Sequence, residues 1–262
     1  MTTEIPQAFL DAVALAHASW QPVLKAGLAA VAAADPLYLP ALAADDYLPT
    51  RGRMFAAYAL PLDKVAYVLV GEGPYPREQS ATGFCFMDGA VDKLWSQGGL
   101  AKPVNRATSL RNFMKMLLVV AGELLPGETG GAAMVQVAEA ANQSDSRFIQ
   151  TLPELQQALT AQGFLLLNAT PVFRAHVPPL KEARAWIPFL ETVLEALSSH
   201  AGRNKAACPT LVLWGKVAGV ISQLPANSVF PKAISEHPYN LSFIDNAGMQ
   251  SLFGPMQLLI KK

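Results

Sequence analysis

Four short, mainly apolar runs, each halted by a turn signal, constrain this chain more than any other feature. Lys64-Val65-Ala66-Tyr67-Val68-Leu69-Val70 ends at Gly71, and Gly163-Phe164-Leu165-Leu166-Leu167 ends at Asn168. Thr210-Leu211-Val212-Leu213-Trp214 ends at Gly215, and Ala233-Ile234-Ser235 runs into Glu236-His237-Pro238. The first two of these short apolar runs read as buried strands, and the other two as a third strand and a short fourth one. Helical patterns separate them, and strands alternating with helices predict a mostly parallel sheet. The expected fold is therefore a three-layer α/β/α sandwich around a central four-stranded, mostly parallel sheet. In such sheets ligands bind beyond the carboxyl ends of the strands. Gly71 to Pro76, Asn168, Gly215 and His237 all lie at those ends, which points to one site.

The intervening segments divide as follows. Pro6 to Ala34, rich in Ala and Leu, reads as one or two helices, interrupted by Asp35-Pro36 and Leu39-Pro40 because the residue before proline avoids the α region. Residues 45–53 read as loop. Ser109 to Leu125 reads as a helix, with Ser109 as N-cap and Leu110, Phe113, Met114, Leu117 and Leu118 on one face. Residues 126–148, holding Gly127-Glu128-Thr129-Gly130-Gly131, read as loop. Leu152 to Gln162 and Pro188 to Ser199 read as helices, and another begins near Lys216. No low-complexity linker or charge run splits the chain, so one domain over residues 1–262 is expected, with a helical N-terminal segment over about 1–44.

Composition narrows the class. Hydrophobic residues make up 52% of the 262 positions, enough for a sizeable core. No apolar run reaches the roughly 18 to 20 residues of a membrane span. The first residues lack a basic region followed by an apolar stretch, so no secretory signal is expected. Two cysteines, Cys85 and Cys208, cannot supply a disulfide framework or a four-cysteine metal site. These features predict a reduced, cytoplasmic setting with no metal and no cofactor. The formal net charge is zero, which argues against a chain that is basic overall but leaves room for a local basic face.

Taken in order, the strand ends resemble the four motifs of family-one uracil-DNA glycosylases. Gly71-Glu72-Gly73-Pro74-Tyr75-Pro76, continuing to Gly83-Phe84-Cys85-Phe86, resembles the water-activating loop and the uracil-stacking phenylalanine. Leu165-Leu166-Leu167-Asn168, followed by Val172-Phe173-Arg174-Ala175-His176, is similar to the strand carrying the uracil-reading asparagine. Leu211-Val212-Leu213-Trp214-Gly215 resembles the strand before the phosphate-contacting turn, and His237-Pro238-Tyr239-Asn240-Leu241-Ser242 resembles the family's His-Pro-Ser-Pro-Leu-Ser loop. Thr108-Ser109-Leu110-Arg111-Asn112 is similar to the end of its proline-rich loop. The resemblance covers about residues 45 to 255. Each motif alone is weakly specific, and four in order at compatible spacing are strongly so.

The resemblance implies a monomeric enzyme that flips a base out of DNA and hydrolyses its N-glycosidic bond. Phe86 would stack on the base, Tyr75 would wall off the place of a thymine methyl, and Asn168 would pair with the uracil edge through its amide. His237 would donate to the negative charge developing on the uracil O2. Leu241 would wedge into the gap left by the base. Ser109, Gly215, Lys216 and Ser242 would hold phosphates. A protein inhibitor or another protein partner fits the same reading.

This chain departs from the family at the water. The family's first motif carries an aspartate where this chain has Gly73, and a histidine where it has Pro76; poxviral members also carry proline at the latter position. Losing a positioned general base forfeits roughly 10²–10⁴ in rate. Gly71-Glu72-Gly73-Pro74 also resembles the first motif of family-four enzymes, which work without that aspartate, so Glu72 would supply the carboxylate from one position earlier. The family-four iron–sulfur cluster would lack ligands here. Lys216 and Tyr239 stand where serines are usual, and Asn105-Arg106-Ala107 replaces the proline cluster. Two readings stay open: a glycosylase acting on uracil or a related base through Glu72 and His237, or a catalytically impaired member that binds DNA, a modified base or a protein partner. A purely structural interaction role is a third and weaker reading.

Overall fold

The computed structural model describes residues 4–261. Its helices are α1 Gln7–Ala14, α2 Gln21–Ala34, α3 Tyr38–Ala43, α4 Lys102–Arg106, α5 Thr108–Val120, α6 Gly131–Ala141, α7 Leu152–Ala161, α8 Pro179–Arg203, α9 Val217–Ser222 and α10 Ala247–Phe253. Its strands are β1 Tyr67–Gly71, β2 Trp95–Ser96, β3 Gly99–Leu100, β4 Phe164–Asn168, β5 Thr210–Trp214 and β6 Lys232–Ser235. The expected α/β architecture is present: a mostly parallel sheet in the order β4-β1-β5-β6, flanked by helices. All four expected strands form, within three residues of their sequence limits. Chain packing divides the molecule into two compact units, neither of them continuous in sequence. The first contains residues 1–89, 163–212 and 217–232; the second contains residues 90–162, 213–216 and 233–262.

In the first unit, β1 pairs in parallel with β4, with Tyr67 opposite Phe164 and Gly71 opposite Asn168. Every residue of β4 is buried, as its unbroken apolar run requires. Helix α2 packs along α8, around a cluster in which the Phe55 and Phe189 rings stack at 5.4 Å and the Trp20 and Tyr58 rings meet edge-on at 5.0 Å. The Trp20 indole donates to the Leu60 carbonyl at 2.8 Å, satisfying its one polar atom in the core.

Four sequence readings need correction. The loop expected over 126–148 contains α6. Met134, Val137, Ala138 and Ala141 bury one face at helical spacing, and the glycines at 127, 130 and 131 only precede that face. Helix α8 begins at Pro179 rather than at Pro188. Proline at a first helical position needs no N–H partner, whereas Pro188 lies inside the helix, its carbonyl accepting the Thr192 hydroxyl at 2.8 Å. Ser109 is not an N-cap. The cap residue of α5 is Ala107, which also ends α4, so Ser109 falls inside the first turn. Helix α5 also stops early, at Val120, before Gly122 in a left-handed conformation. The small β2–β3 hairpin had no sequence signal strong enough to read.

A buried ionic knot fixes the segment that follows β4. Arg174 grips Glu182 through two bonds, Nε to Oε2 at 2.9 Å and Nη2 to Oε1 at 3.2 Å, and reaches Asp45 at 3.1 Å. The Tyr38 hydroxyl also donates to Glu182. Burial, and next Glu182, hold that phenol far above the tyrosine range, so it stays protonated. Leu48 and Phe173 exchange backbone bonds at 2.9 and 2.8 Å. Residues 169–176 are thereby tied to α3 and α8 from two sides. Removing one partner of such a pair strands the other charge in the interior, which costs about 3–5 kcal/mol. Arg174→Met is expected to lower unfolding stability by that amount, whereas Arg174→Met combined with Glu182→Leu recovers most of it. Urea denaturation of both variants measures the difference.

Candidate active site

In the first unit, the sheet register alone brings two strand ends level. Beyond the Gly71–Asn168 pair the ladder continues through the loops: Ala169 N–H donates to the Gly71 carbonyl at 2.8 Å and Thr170 N–H to the Glu72 carbonyl at 3.1 Å. The loop carrying Phe86 is pressed onto the same ends. Cys85 N–H donates to the Leu166 carbonyl at 3.0 Å, and its thiol reaches the Leu69 carbonyl at 3.1 Å. Burial holds the Cys85 thiol far above the cysteine range, so it serves as an anchor and not as a nucleophile. This close approach explains Gly71: a side chain there would begin 2.8 Å from the Cys85 Cβ and 3.2 Å from Asn168 Oδ1.

Four predicted residues lie on these strand ends and the loops that follow them. Asn168 is 6% exposed, and its Oδ1 is buried with no hydrogen-bond partner. An unsatisfied buried acceptor costs about 1–3 kcal/mol, so this atom is poised to receive a donor. Phe86 is half-buried, with φ at +66°, a left-handed conformation that a phenylalanine adopts only under constraint. It directly follows the anchored Cys85. Tyr75 is half-buried; burial, and next the Asp88 carboxylate, keep its phenol above the usual range and protonated. Glu72 is exposed.

Gly73 behaves differently from Gly71. A Cβ there would meet only the Thr170 carbonyl oxygen at 3.4 Å and the Thr170 Cβ at 3.7 Å, ordinary contacts, and its φ is not left-handed. Neither space nor backbone requires glycine at 73.

The second unit carries the other predicted group. Gly215 has a φ of +60°, and a Cβ on it would lie 2.9 Å from the His237 Cβ, so the strand-end turn and the histidine need this glycine. Lys216 is exposed and directly precedes α9. His237 is exposed, and its Nδ1 accepts the Tyr239 N–H at 3.1 Å. That bond assigns the proton of the neutral ring to Nε2, which makes Nε2 a donor. Leu241 and Tyr239 stand outward, 67% and 68% exposed. Ser109 is half-buried in the first turn of α5, which packs on the 3₁₀ turn Leu241–Asp245.

Two residues that sequence reasoning missed hold the histidine turn. Asn112 is fully buried, and its amide nitrogen donates to the carbonyls of Pro238 at 2.7 Å and of Tyr239 and Asn240 at 3.3 Å. A polar residue beside Phe113 and Met114 on an apolar helix face was the available signal. Glu236 accepts from the Asn246 amide at 2.8 Å. Burial pushes its carboxyl up, but hydrogen bonds from its own backbone, Ser242 and Asn246 outweigh this and hold it below the usual glutamate range. The Ser242 hydroxyl is therefore engaged within the turn. Beneath, Phe113 meets Phe253 at 5.1 Å and Trp214 meets Phe243 at 5.4 Å. Among the described residues no cluster of three metal-ligating side chains gathers.

Asn112→Ala removes the donor shared by three carbonyls. The expected cost is about 1–3 kcal/mol, together with faster amide exchange confined to residues 237–242. Hydrogen-exchange mass spectrometry reads that pattern directly.

No protein-family model matches the chain. The wild-type UNG crystal structure from Nitratifractor salsuginis superposes with a TM-score of 0.85 and 36% identity, covering 98% of this chain and 97% of that one. The uracil-DNA glycosylase of Corynebacterium glutamicum is 26% identical over 229 residues, 86% of this chain and 81% of that protein. Mimivirus uracil-DNA glycosylase, at 14% identity and a TM-score of 0.54 over 89% of this chain and 73% of that one, shares the fold.

Proposed function

The chain belongs to the uracil-DNA glycosylase superfamily, and we propose that it is a base-excision glycosylase that hydrolyses the N-glycosidic bond of uracil flipped out of DNA, acting as a monomer. The observation that carries this reading is the buried, unpartnered Asn168 Oδ1 at the strand junction. It matches the N3–H of a uracil edge, while the amide nitrogen offers a donor to O4. Phe86 stacks on the ring, and Tyr75, kept as an uncharged phenol, occupies the side where a 5-methyl group would enter. As the bond from N1 to the sugar C1′ breaks, its electron pair moves into the base and charge collects on O2. The Nε2–H of His237 stabilises that charge, a contribution of about 10²–10³ in rate for one such donor. Water adds to C1′, its proton passing to the Glu72 carboxylate, and the departing uracil anion takes up a proton from solvent.

With Gly73 lacking a side chain, Glu72 is the carboxylate assigned to that water and to the cationic sugar, as in the family-four motif it resembles. Its backbone is fixed by the Thr170 N–H bond to its carbonyl. Leu241 fills the vacated stack, and Ser109, Gly215, Lys216 and Ser242 meet flanking phosphates, Ser242 chiefly through the backbone because its hydroxyl is held by Glu236.

Uracil release from a single-stranded oligonucleotide is the test. The wild type is expected to release free uracil and leave an abasic site. Glu72→Ala is expected to lose about 10²–10⁴ in rate, and Gly73→Asp, for which the fold has room, to release uracil faster than the wild type. No release by the wild type at high enzyme concentration overturns the proposal. If Gly73→Asp alone then releases uracil, the natural chain keeps the pocket without the reaction.

A further inference from the structure

Residues 93–122 contain Lys93, Lys102, Arg106, Arg111 and Lys115 and not one Asp or Glu, in a chain whose overall charge is zero. Four of these cations form two successive i, i+4 pairs, Lys102 with Arg106 on α4 and Arg111 with Lys115 on α5. Residues at that spacing are neighbours on a helix surface, and like charges there repel. None of the four sits in an ion pair with a carboxylate among the described residues. Lys102 and Arg106 are exposed, and Arg111 and Lys115 are half-buried. The crowding is felt at Lys115, where burial and then the Arg111 charge lower the affinity of the amine for its proton. Arg111 is aimed by two bonds, to the Asn105 carbonyl and to Asn112 Oδ1, both at 3.3 Å. Asn112 in turn holds the carbonyls of residues 238–240. The cations are thus mounted on the same frame as the His237–Leu241 turn. Repulsion left uncompensated within one small surface favours a polyanion, and a phosphodiester strand supplies evenly spaced charges.

We propose that Lys102, Arg106, Arg111 and Lys115 form a phosphate-gripping stripe that holds the DNA strand alongside the His237–Leu241 turn, in place of the proline cluster that this chain lacks. The stripe rests on the glycosylase reading for its ligand and takes no part in bond cleavage. It binds DNA of any sequence, with or without uracil.

The test uses the full chain carrying Lys102→Ala, Arg106→Ala and Lys115→Ala together, with Arg111 kept because it also bonds the protein. Fluorescence anisotropy follows binding to a uracil-free duplex and to one of its strands between about 50 and 200 mM salt. Each phosphate contact contributes about 0.9 to the slope of log affinity against log salt on duplex and about 0.7 on a single strand. The triple variant is expected to lose about 2 to 3 from the duplex slope, with KM for a uracil duplex rising more than tenfold and kcat unchanged. A control with Lys25→Ala, Lys181→Ala and Lys205→Ala, three exposed cations of the first unit, is expected to keep the wild-type slope. A triple-variant slope equal to that of the wild type, or an equal loss in the control, overturns the stripe. Absence of uracil release by the wild type, with the slope difference between wild type and triple variant intact, instead sinks the glycosylase reading and leaves the stripe standing.

Discussion

The pairing of β1 with β4, in the register that sets Gly71 against Asn168, governs the first group of site residues. A shift of one residue would turn Asn168 to the opposite face of the sheet. With the register set, the loop bonds from Ala169 and Thr170 follow, and so does the landing place of Cys85. Phe86 follows directly, in a left-handed backbone conformation. These strand ends are therefore assembled by main-chain bonds and one buried thiol, leaving the side-chain Oδ1 of Asn168 unsatisfied.

The second unit uses another device. Its histidine turn is irregular backbone whose carbonyls need donors. Asn112 provides them from inside the helix α5, where a polar side chain would otherwise be a liability. Glu236 closes the turn from its other end through Asn246 and Ser242. The turn presents Leu241 and the histidine ring outward while its own polar groups are satisfied inward. Rigid support of this kind lets a donor meet developing charge without reorganising at the moment of reaction.

Much of this was legible in the sequence, for identifiable reasons. Strands β1, β4 and β5 announced themselves because their buried interiors tolerate little but apolar residues, whereas the short β6 alternates exposed and half-buried positions. Asn168, Gly215 and His237 were found because they end those strands. What escaped was whatever depends on contacts distant in sequence. Asn112 meets carbonyls more than 120 residues away, and no local pattern encodes that. The knot of Arg174, Glu182, Asp45 and Tyr38 is likewise invisible until the chain folds. Helix α6 was missed for the opposite reason: a strong local signal, the glycine run, masked the periodic face behind it. Ser109 was misplaced as a cap because α4 feeds into α5 through Ala107 alone.

The contrast between Gly71 and Gly73 separates what the fold demands from what the chemistry demands. At 71 a single added carbon collides with Cys85, so the fold dictates glycine there. At 73 the same carbon meets only ordinary contacts, so the fold is indifferent. The missing carboxylate is thus not a by-product of how this chain packs; a side chain fits, and none is present. In the proposed reaction, base recognition rests on Asn168, Phe86 and Tyr75, and leaving-group stabilisation on His237. Neither depends on the residue at 73. Water activation alone does, and the neighbouring Glu72 is the one carboxylate of the first motif. The proposed water activation is therefore a step that the surrounding architecture neither enforces nor forbids.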